Sequence, residues 1–246
     1  MKLNNKIKLV SIVIPAYNEE LSIGKTIREI KETIKKIKDY KFEIVVANNN
    51  SKDKTEEIAK KGGARVVFEG KQGYGYAYKK GLSEANGDII ITSDADATYP
   101  LYDTPKFIEM LENKDYDFII GNRFALLNRK SMHFLNYIGN LFLTFTTKII
   151  YGGQIKDSQS GMVAFKRDYL NKINLDILSN GMPLCQELKL YAVCLRLRVK
   201  SVPIEYRLRI GNSKLRVIKD GVDNLIGLLN FKKRFKRSFE YSQRHK

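Results

Sequence analysis

The sequence predicts an α/β fold: a Rossmann-like, mostly parallel sheet with helices on both faces, followed by a C-terminal amphipathic helix. Three observations carry that expectation. Short β-branched runs alternate with stretches of helical periodicity in the order β-α-β-α-β between Lys8 and Phe68. That order favours right-handed crossovers and a parallel sheet. Polar, turn-forming segments follow the apolar runs, and ligands of parallel sheets bind there, beyond the carboxyl ends of the strands. Finally, 246 residues with 43% hydrophobic composition suffice for one well-filled core.

Taken in order, Lys8 to Ile14 is a strand that Pro15 closes, and Pro15-Ala16-Tyr17-Asn18-Glu19-Glu20 is the loop after it. Ile23, Ile27, Ile30, Ile34 and Ile37 recur at steps of three and four, which puts them on the core face of one helix. Phe42 to Ala47 is a second strand, Asn48 to Thr55 a polar loop, Glu56 the start of a short helix, and Ala64 to Phe68 a third strand. Gly70 to Ala77 lacks both the Gly-Lys-Ser/Thr ending of a phosphate-cradling loop and the dinucleotide spacing, so it reads as a turn and a helix start. Ile89 to Ile91 leads into Thr92 to Pro100. Leu101 to Asn113 is helical, with Phe107, Ile108 and Leu111 inward, and Tyr116 to Ile120 is a strand ending in Gly121-Asn122-Arg123-Phe124.

Phe134 to Ile149 is an amphipathic helix, with Phe134, Ile138, Leu141, Phe142, Phe145 and Ile149 on one face and Asn136, Asn140, Thr144 and Thr147 opposite. Spanning a bilayer takes about 20 mostly apolar residues, so this helix either packs on the body or lies in a bilayer interface. Asp157-Ser158-Gln159-Ser160-Gly161 is a polar turn before the strand Met162 to Phe165. Gln186-Glu187 opens a helix from Leu188 to Arg196, Val199 to Tyr206 is a strand, and Arg209 to Leu215 is a basic, glycine-containing loop. From Lys219 the last helix carries Val222, Leu225, Leu229, Phe231, Phe235 and Phe239 as an apolar stripe. Between Phe231 and Lys246 seven Lys or Arg residues stand against Glu240 alone. Rings plus bases are the pattern of a helix that inserts in an anionic membrane surface, the alternatives being a solvated basic tail or a helix packed on the body or on a second subunit.

Lys+Arg 44 against Asp+Glu 27 leaves +17, which calls for an anionic partner. No helix-turn-helix, zinc or RNP-type motif accompanies the charge and the 14 tyrosines, which weighs against a nucleic-acid-binding protein. Cys185 and Cys194 have no metal-ligand spacing, and the N-terminal Met-Lys-Leu-Asn-Asn-Lys has no apolar signal core; both point to a reducing cytoplasmic setting.

The chemistry centres on Asp94-Ala95-Asp96. Where a strand runs out into a turn, two carboxylates one residue apart can converge on Mg²⁺ or Mn²⁺ and through it on a diphosphate. Arg123, at another strand end, either grips a phosphate oxygen or pairs with an acidic neighbour.

Ile12-Val13-Ile14-Pro15-Ala16-Tyr17-Asn18-Glu19-Glu20, Asn48 to Thr55, Asp94-Ala95-Asp96, Gly121-Asn122-Arg123-Phe124, Asp157 to Gly161 and Gly211-Asn212-Ser213-Lys214-Leu215, in that order, resemble glycosyltransferase family 2. The resemblance covers residues 9 to about 216, and within the family it is to the dolichyl-phosphate sugar synthases. It implies a GT-A fold over residues 1–216, with 217–246 as a basic amphipathic helix or tail. It also implies inverting transfer of a sugar from a nucleoside diphosphate to a polyprenyl phosphate. By the same resemblance Pro15, Tyr17 and Glu19 fall in the first nucleotide-binding loop, and Ala47 and Asn49 at the base. Asp94, Ala95 and Asp96 form the metal and diphosphate motif, and Arg123, Arg209 and Lys214 are phosphate-binding cations. Asp157 is either a base or a positioning group. The family's further metal-side position is Thr98 here, whose hydroxyl is a poor ligand.

Two departures refine this expectation. The family usually has Asp-Asp where this chain has Asn48-Asn49. An Asn amide accepts from uracil N3–H while donating to O4, whereas a carboxylate suits the two adjacent donors of guanine. Asn also pairs with guanine O6 and N1–H, so the tilt is toward a UDP-sugar, glucose or N-acetylglucosamine, with GDP-mannose as the alternative. The Gln-x-x-Arg-Trp of processive members is absent, there being no Trp, which disfavours polymer synthesis. A non-lipid acceptor is the other alternative. The expected setting is peripheral, on the cytoplasmic face of a membrane; sugar, polyprenol type and oligomeric state are not fixed by these residues.

Overall fold

A computed structural model describes residues 7–128 and 130–244, the side chains of 239 and 241–244 excepted. In chain order the elements are β1 (Lys8–Ala16), α1 (Ile23–Ile34), β2 (Tyr40–Asn48), α2 (Thr55–Lys61), β3 (Arg65–Phe68), α3 (Tyr74–Glu84), β4 (Ile89–Thr92), α4 (Thr104–Glu112), β5 (Phe118–Leu127), α5 (Phe134–Tyr151), β6 (Val163–Lys166), α6 (Arg167–Lys172), α7 (Leu184–Cys194), β7 (Val199–Tyr206) and α8 (Val217–Arg244). The N-terminal segment read as lacking a signal core, the Phe239 ring and Lys246 lie outside the described residues.

The seven strands form one sheet in the order β3-β2-β1-β4-β6-β5-β7. β6 runs antiparallel to both its neighbours, and every other pairing is parallel. The expected mostly parallel α/β architecture is therefore present, and its register follows from alternation. In β1, Val10, Ile12 and Ile14 face one layer with Ile23, Ile27, Ile30 and Phe107, while Val13 faces the other with Tyr78, Phe118, Phe165 and Leu188. Helices α1, α2 and α4 cover the first face; α3, α6 and α7 cover the second.

Several boundaries differ from the sequence reading. Leu101–Asp103 is a separate 3₁₀ turn and α4 begins at Thr104, with Pro105 in its first turn, where the missing N–H costs nothing. β5 extends to Leu127, so Arg123 sits within a strand, beside an irregularity between Asn122 and Leu126. α7 starts at Leu184 and takes in Gln186 and Glu187, and α6 was not anticipated.

The largest correction concerns α8. Phe231 is fully buried, packed between Tyr191 and Tyr151, and Phe235 meets Tyr191 edge-on. For these two rings the membrane-inserting reading gives way to the packed one: they bind the helix to the body. Arg234 adds an ion pair to Glu187 of α7, which is itself fully buried. Their spacing is that of any helix face that needs a cover, and here the protein supplies it.

Candidate active site

β1, β2, β4 and β5 release their polar segments on one side of the sheet. After β4, Ala97 adopts φ +63°, a left-handed conformation that costs a residue with a Cβ roughly 1–2 kcal/mol. That bend lets Thr98 donate to Asp96 Oδ1 from its backbone N (3.1 Å) and hydroxyl (2.7 Å). Thr98, set aside as a metal ligand, thus orients the carboxylate. Asp94 accepts from the Tyr74 hydroxyl at 3.0 Å, and Gly161 packs so closely that a Cβ there would meet the Asp94 carboxylate at 3.1 Å. Ala95 is buried and its carbonyl accepts from Thr26 Oγ1 at 3.0 Å.

Burial, and then the charge of Asp96, push the Asp94 carboxyl up to about 7. Two carboxylates that repel one another in a low-dielectric wall form an oxygen donor set suited to a hard dication. Asp94 and Asp96 therefore fit Mg²⁺ or Mn²⁺. Among the described residues no group of three or more His, Cys, Asp or Glu side chains could hold a metal.

Arg123 and Asp157 are a buried pair. Arg123 donates from Nε (2.7 Å) and backbone N (3.1 Å) to Asp157 Oδ2, and from Nη2 (2.9 Å) to Oδ1, which also accepts from Gln159 N at 3.2 Å. Burial alone would lower the guanidinium pKa, but the Asp157 charge reverses the effect and raises it. Tyr206 lies under the guanidinium at 5.1 Å. Each Asp157 oxygen already accepts two hydrogen bonds, the full capacity of a carboxylate. Of the two expected roles, the geometry fits positioning and leaves no lone pair for a base. Of the two readings of Arg123, the structure shows the pairing with an acidic neighbour, made from within β5.

Arg209 and Lys214 come from the loop after β7. Arg209 Nη1 donates to Asp96 Oδ2 at 2.6 Å, and Nη2 pairs with Glu19. Lys214 donates to Glu19 Oε1 (2.8 Å) and to the Asn18 carbonyl (2.6 Å). Glu19, expected in the nucleotide loop, is thus the anchor of two cations and ties the loops after β1 and β7 together across Asp96.

At the base end Pro15 is paired in register with Ala47, and Tyr17 is half-buried in the loop beyond. Asn49 departs from its expected role. Its Oδ1 accepts from Gly73 N (2.8 Å) and its Nδ2 donates to the carbonyls of Glu69 (3.3 Å) and Lys71 (2.7 Å). Both amide hydrogens are spent on the loop before α3, so the side chain has no N–H left to donate to a base.

Four side chains that shape the site escaped the sequence reading. Tyr74 opens α3, in a segment read as a turn and a helix start with no side chain singled out. Gln159 Nε2 donates to Gln186 Oε1 at 2.7 Å, and Gln186 Nε2 to the Asn224 carbonyl of α8 at 2.9 Å, linking the Asp157 turn to the last helix. Lys189 lies fully buried beneath the same turn. Its one signal was a lone Lys among Leu188, Leu190, Tyr191 and Ala192.

Comparison with known proteins adds a second line. A family model described as glycosyl transferase family 2 matches residues 11–173. The low-salt glycan biosynthesis hexosyltransferase Agl6 of Haloferax volcanii is 35% identical over 86% of this chain, which spans only 51% of that protein. The dolichyl-phosphate hexose transferase of the same organism is 32% identical, over 84% of this chain and 86% of its own length. Glucosyl-3-phosphoglycerate synthase of Mycobacterium tuberculosis, crystallised with Mn²⁺, UDP and glucosyl-3-phosphoglycerate, superposes with a TM-score of 0.70 at 20% identity, covering 91% of this chain and 80% of that one.

Proposed function

The chain belongs to glycosyl transferase family 2, and on that premise we propose that it moves a hexose from a UDP-sugar to a polyprenyl phosphate at a membrane surface. The relative named a dolichyl-phosphate hexose transferase supports the acceptor class, and the UDP in the mycobacterial crystals supports the donor. The observation that carries the reading is the saturated carboxylate of Asp157. A hydroxyl acceptor needs a base, whereas a phosphate is already largely anionic, its second pKa being about 6.

In the transfer an acceptor phosphate oxygen bonds to the anomeric carbon from the far side. The bond from that carbon to the diphosphate breaks, its electron pair leaves with the diphosphate, and configuration inverts. Asp94 and Asp96 would hold Mg²⁺ or Mn²⁺, which when bound supplies positive charge to the diphosphate. Arg209 and Lys214 leave Asp96 and Glu19 for phosphate oxygens, and Arg123, fixed by Asp157 through Nε and Nη2, offers Nη1.

The membrane surface is read from α5, which is turned inside out for a helix in water. Thr144 and Thr147 are buried, while Phe134 is 74%, Phe142 55%, Phe145 62% and Ile149 68% exposed. Residues 118–156 contain no Asp or Glu, and Arg129, Lys130, Lys148 and Lys156 flank or punctuate the helix. An apolar face within an acid-free, basic segment fits an anionic lipid surface. Thr144 Oγ1 accepts from Ser158 N at 3.0 Å, so this face lies one helix away from Asp157. No described helix is long and apolar enough to cross a membrane. The free Cys185 and Cys194 agree with the cytoplasmic leaflet.

The test supplies labelled UDP- and GDP-sugars, polyprenyl phosphate and Mn²⁺, and counts label extracted into organic solvent. Label from a UDP-hexose supports the reading; label from GDP-mannose alone overturns the donor, and label only in water-soluble product overturns the acceptor. Each ring at positions 142 and 145 is about half exposed and would add about 1 kcal/mol on insertion, so Phe142→Ser with Phe145→Ser weakens vesicle binding roughly 30-fold at unchanged melting. Equal binding overturns the α5 surface.

A further inference from the structure

Lys189 stands on α7 between Leu188 and Leu190, all three fully buried. Its ammonium has three hydrogens and three acceptors: the Cys185 carbonyl on its own helix (2.8 Å), and the carbonyls of Ser158 (3.1 Å) and Ser160 (2.6 Å). Among the described residues no carboxylate lies within ion-pair distance of it. Taking an ammonium out of water without a counter-charge is costly, and a leucine or methionine would fill this place at no such cost. What the charge secures is the Asp157–Gly161 turn. Asp157 at one end holds Arg123, and Gly161 at the other lies against the Asp94 carboxylate.

We propose that Lys189 is a positioning residue for transfer: by pinning the Ser158 and Ser160 carbonyls it sets Asp157 with Arg123 and seats Gly161 against Asp94. This rests on the reading of the site as the place of sugar transfer. Burial pulls the ammonium down to about 8, against the pull of Cys185, Asp157 and Asp94 and with the push of Arg123. The cation is thus held by the turn it organises.

Lys189→Met keeps length and removes the charge. The expected protein melts close to wild type, because the loss of a costly buried charge is offset by the Ser158 and Ser160 carbonyls left without a donor. Its kcat falls about 10²-fold, the usual consequence of misplaced reacting groups, with donor KM nearly unchanged. Exchange of the Arg123 Nε proton with water, followed by ¹⁵N NMR, quickens by about tenfold or more as the pair opens. Lys189→Gln, which keeps two N–H donors for the carbonyls, recovers part of both losses. Wild-type kcat and wild-type exchange in the Met variant overturn the proposal, as does a Gln variant no better than Met. If wild-type protein transfers to no acceptor, the functional reading fails on that result, and the Arg123 exchange rates in the same samples still decide the role of Lys189.

Discussion

Asp157→Asn separates a positioning carboxylate from a catalytic base. Both oxygens of Asp157 are used twice: Arg123 Nε and N reach Oδ2, and Arg123 Nη2 and Gln159 N reach Oδ1. An amide keeps the contacts at its oxygen but turns N–H groups toward donors at the other position. It also strips the counter-charge from Arg123, which is only 5% exposed. Truncating one partner of a buried ion pair costs about 3–5 kcal/mol. In a chain of this size each kcal/mol moves melting by about 2–4 °C, so the variant should melt roughly 6–20 °C lower. Calorimetry and the transfer assay are run on the same preparation. Were Asp157 a base not committed to Arg123, the variant would melt like wild type and fail only in chemistry. A melt within about 2 °C of wild type would refute the positioning account. The double variant Arg123→Met with Asp157→Leu, an apolar pair in the same volume, should recover much of the melting temperature and none of the transfer, since such replacements are often neutral for stability.

Asn49→Asp replaces two donors to the Glu69 and Lys71 carbonyls with acceptors, which costs about 1–3 kcal/mol at the loop. Calorimetry should show UDP and GDP binding weakened alike; selective loss of UDP would return Asn49 to base reading. Phe231→Ala empties a fully buried site beside Tyr191 and Tyr151 and should cost about 3–5 kcal/mol by denaturant unfolding. Vesicle binding lost at unchanged stability would put that ring back in the membrane. Lys189, held at about 8 against an ordinary 10.5, binds its proton more weakly in the folded than in the unfolded chain. Stability should therefore rise with pH between about 8 and 10.5, by on the order of 3 kcal/mol relative to Lys189→Met. A flat difference across that window would remove the buried ammonium.

What could be read from the sequence was whatever has a period or follows a strand. Ile23, Ile27 and Ile30 are buried as their spacing required, and Asp94 and Asp96 stand after β4 in a turn sharp enough to need φ +63° at Ala97. Periodicity, however, reports that a face is apolar and not what covers it. Phe231 and Phe235 share the spacing of a membrane-inserting stripe, yet Tyr191 and Tyr151 take them up, while Phe142 and Phe145 on α5, identical in kind, face outward. The polar side decides between the two. On α5 the threonines have somewhere to go, because Thr144 is bonded to Ser158 and Thr147 to the Leu143 carbonyl, so the helix can bury its polar side and present its rings. The same holds at the site. Glu19 and Arg209 lie 190 residues apart, and Asn49 and Gly73 lie 24 apart, and no local pattern announces either pair. Their partners take both amide hydrogens of Asn49 and all four acceptor positions of Asp157, making a base reader into a loop clamp and matching Asp157 to the positioning role of the two expected for it. Which residues stand near the chemistry follows from strand ends; which of them are free to perform it follows only from long-range hydrogen bonds, and Lys189, the lone base in a buried helix, is where the sequence came nearest to showing one.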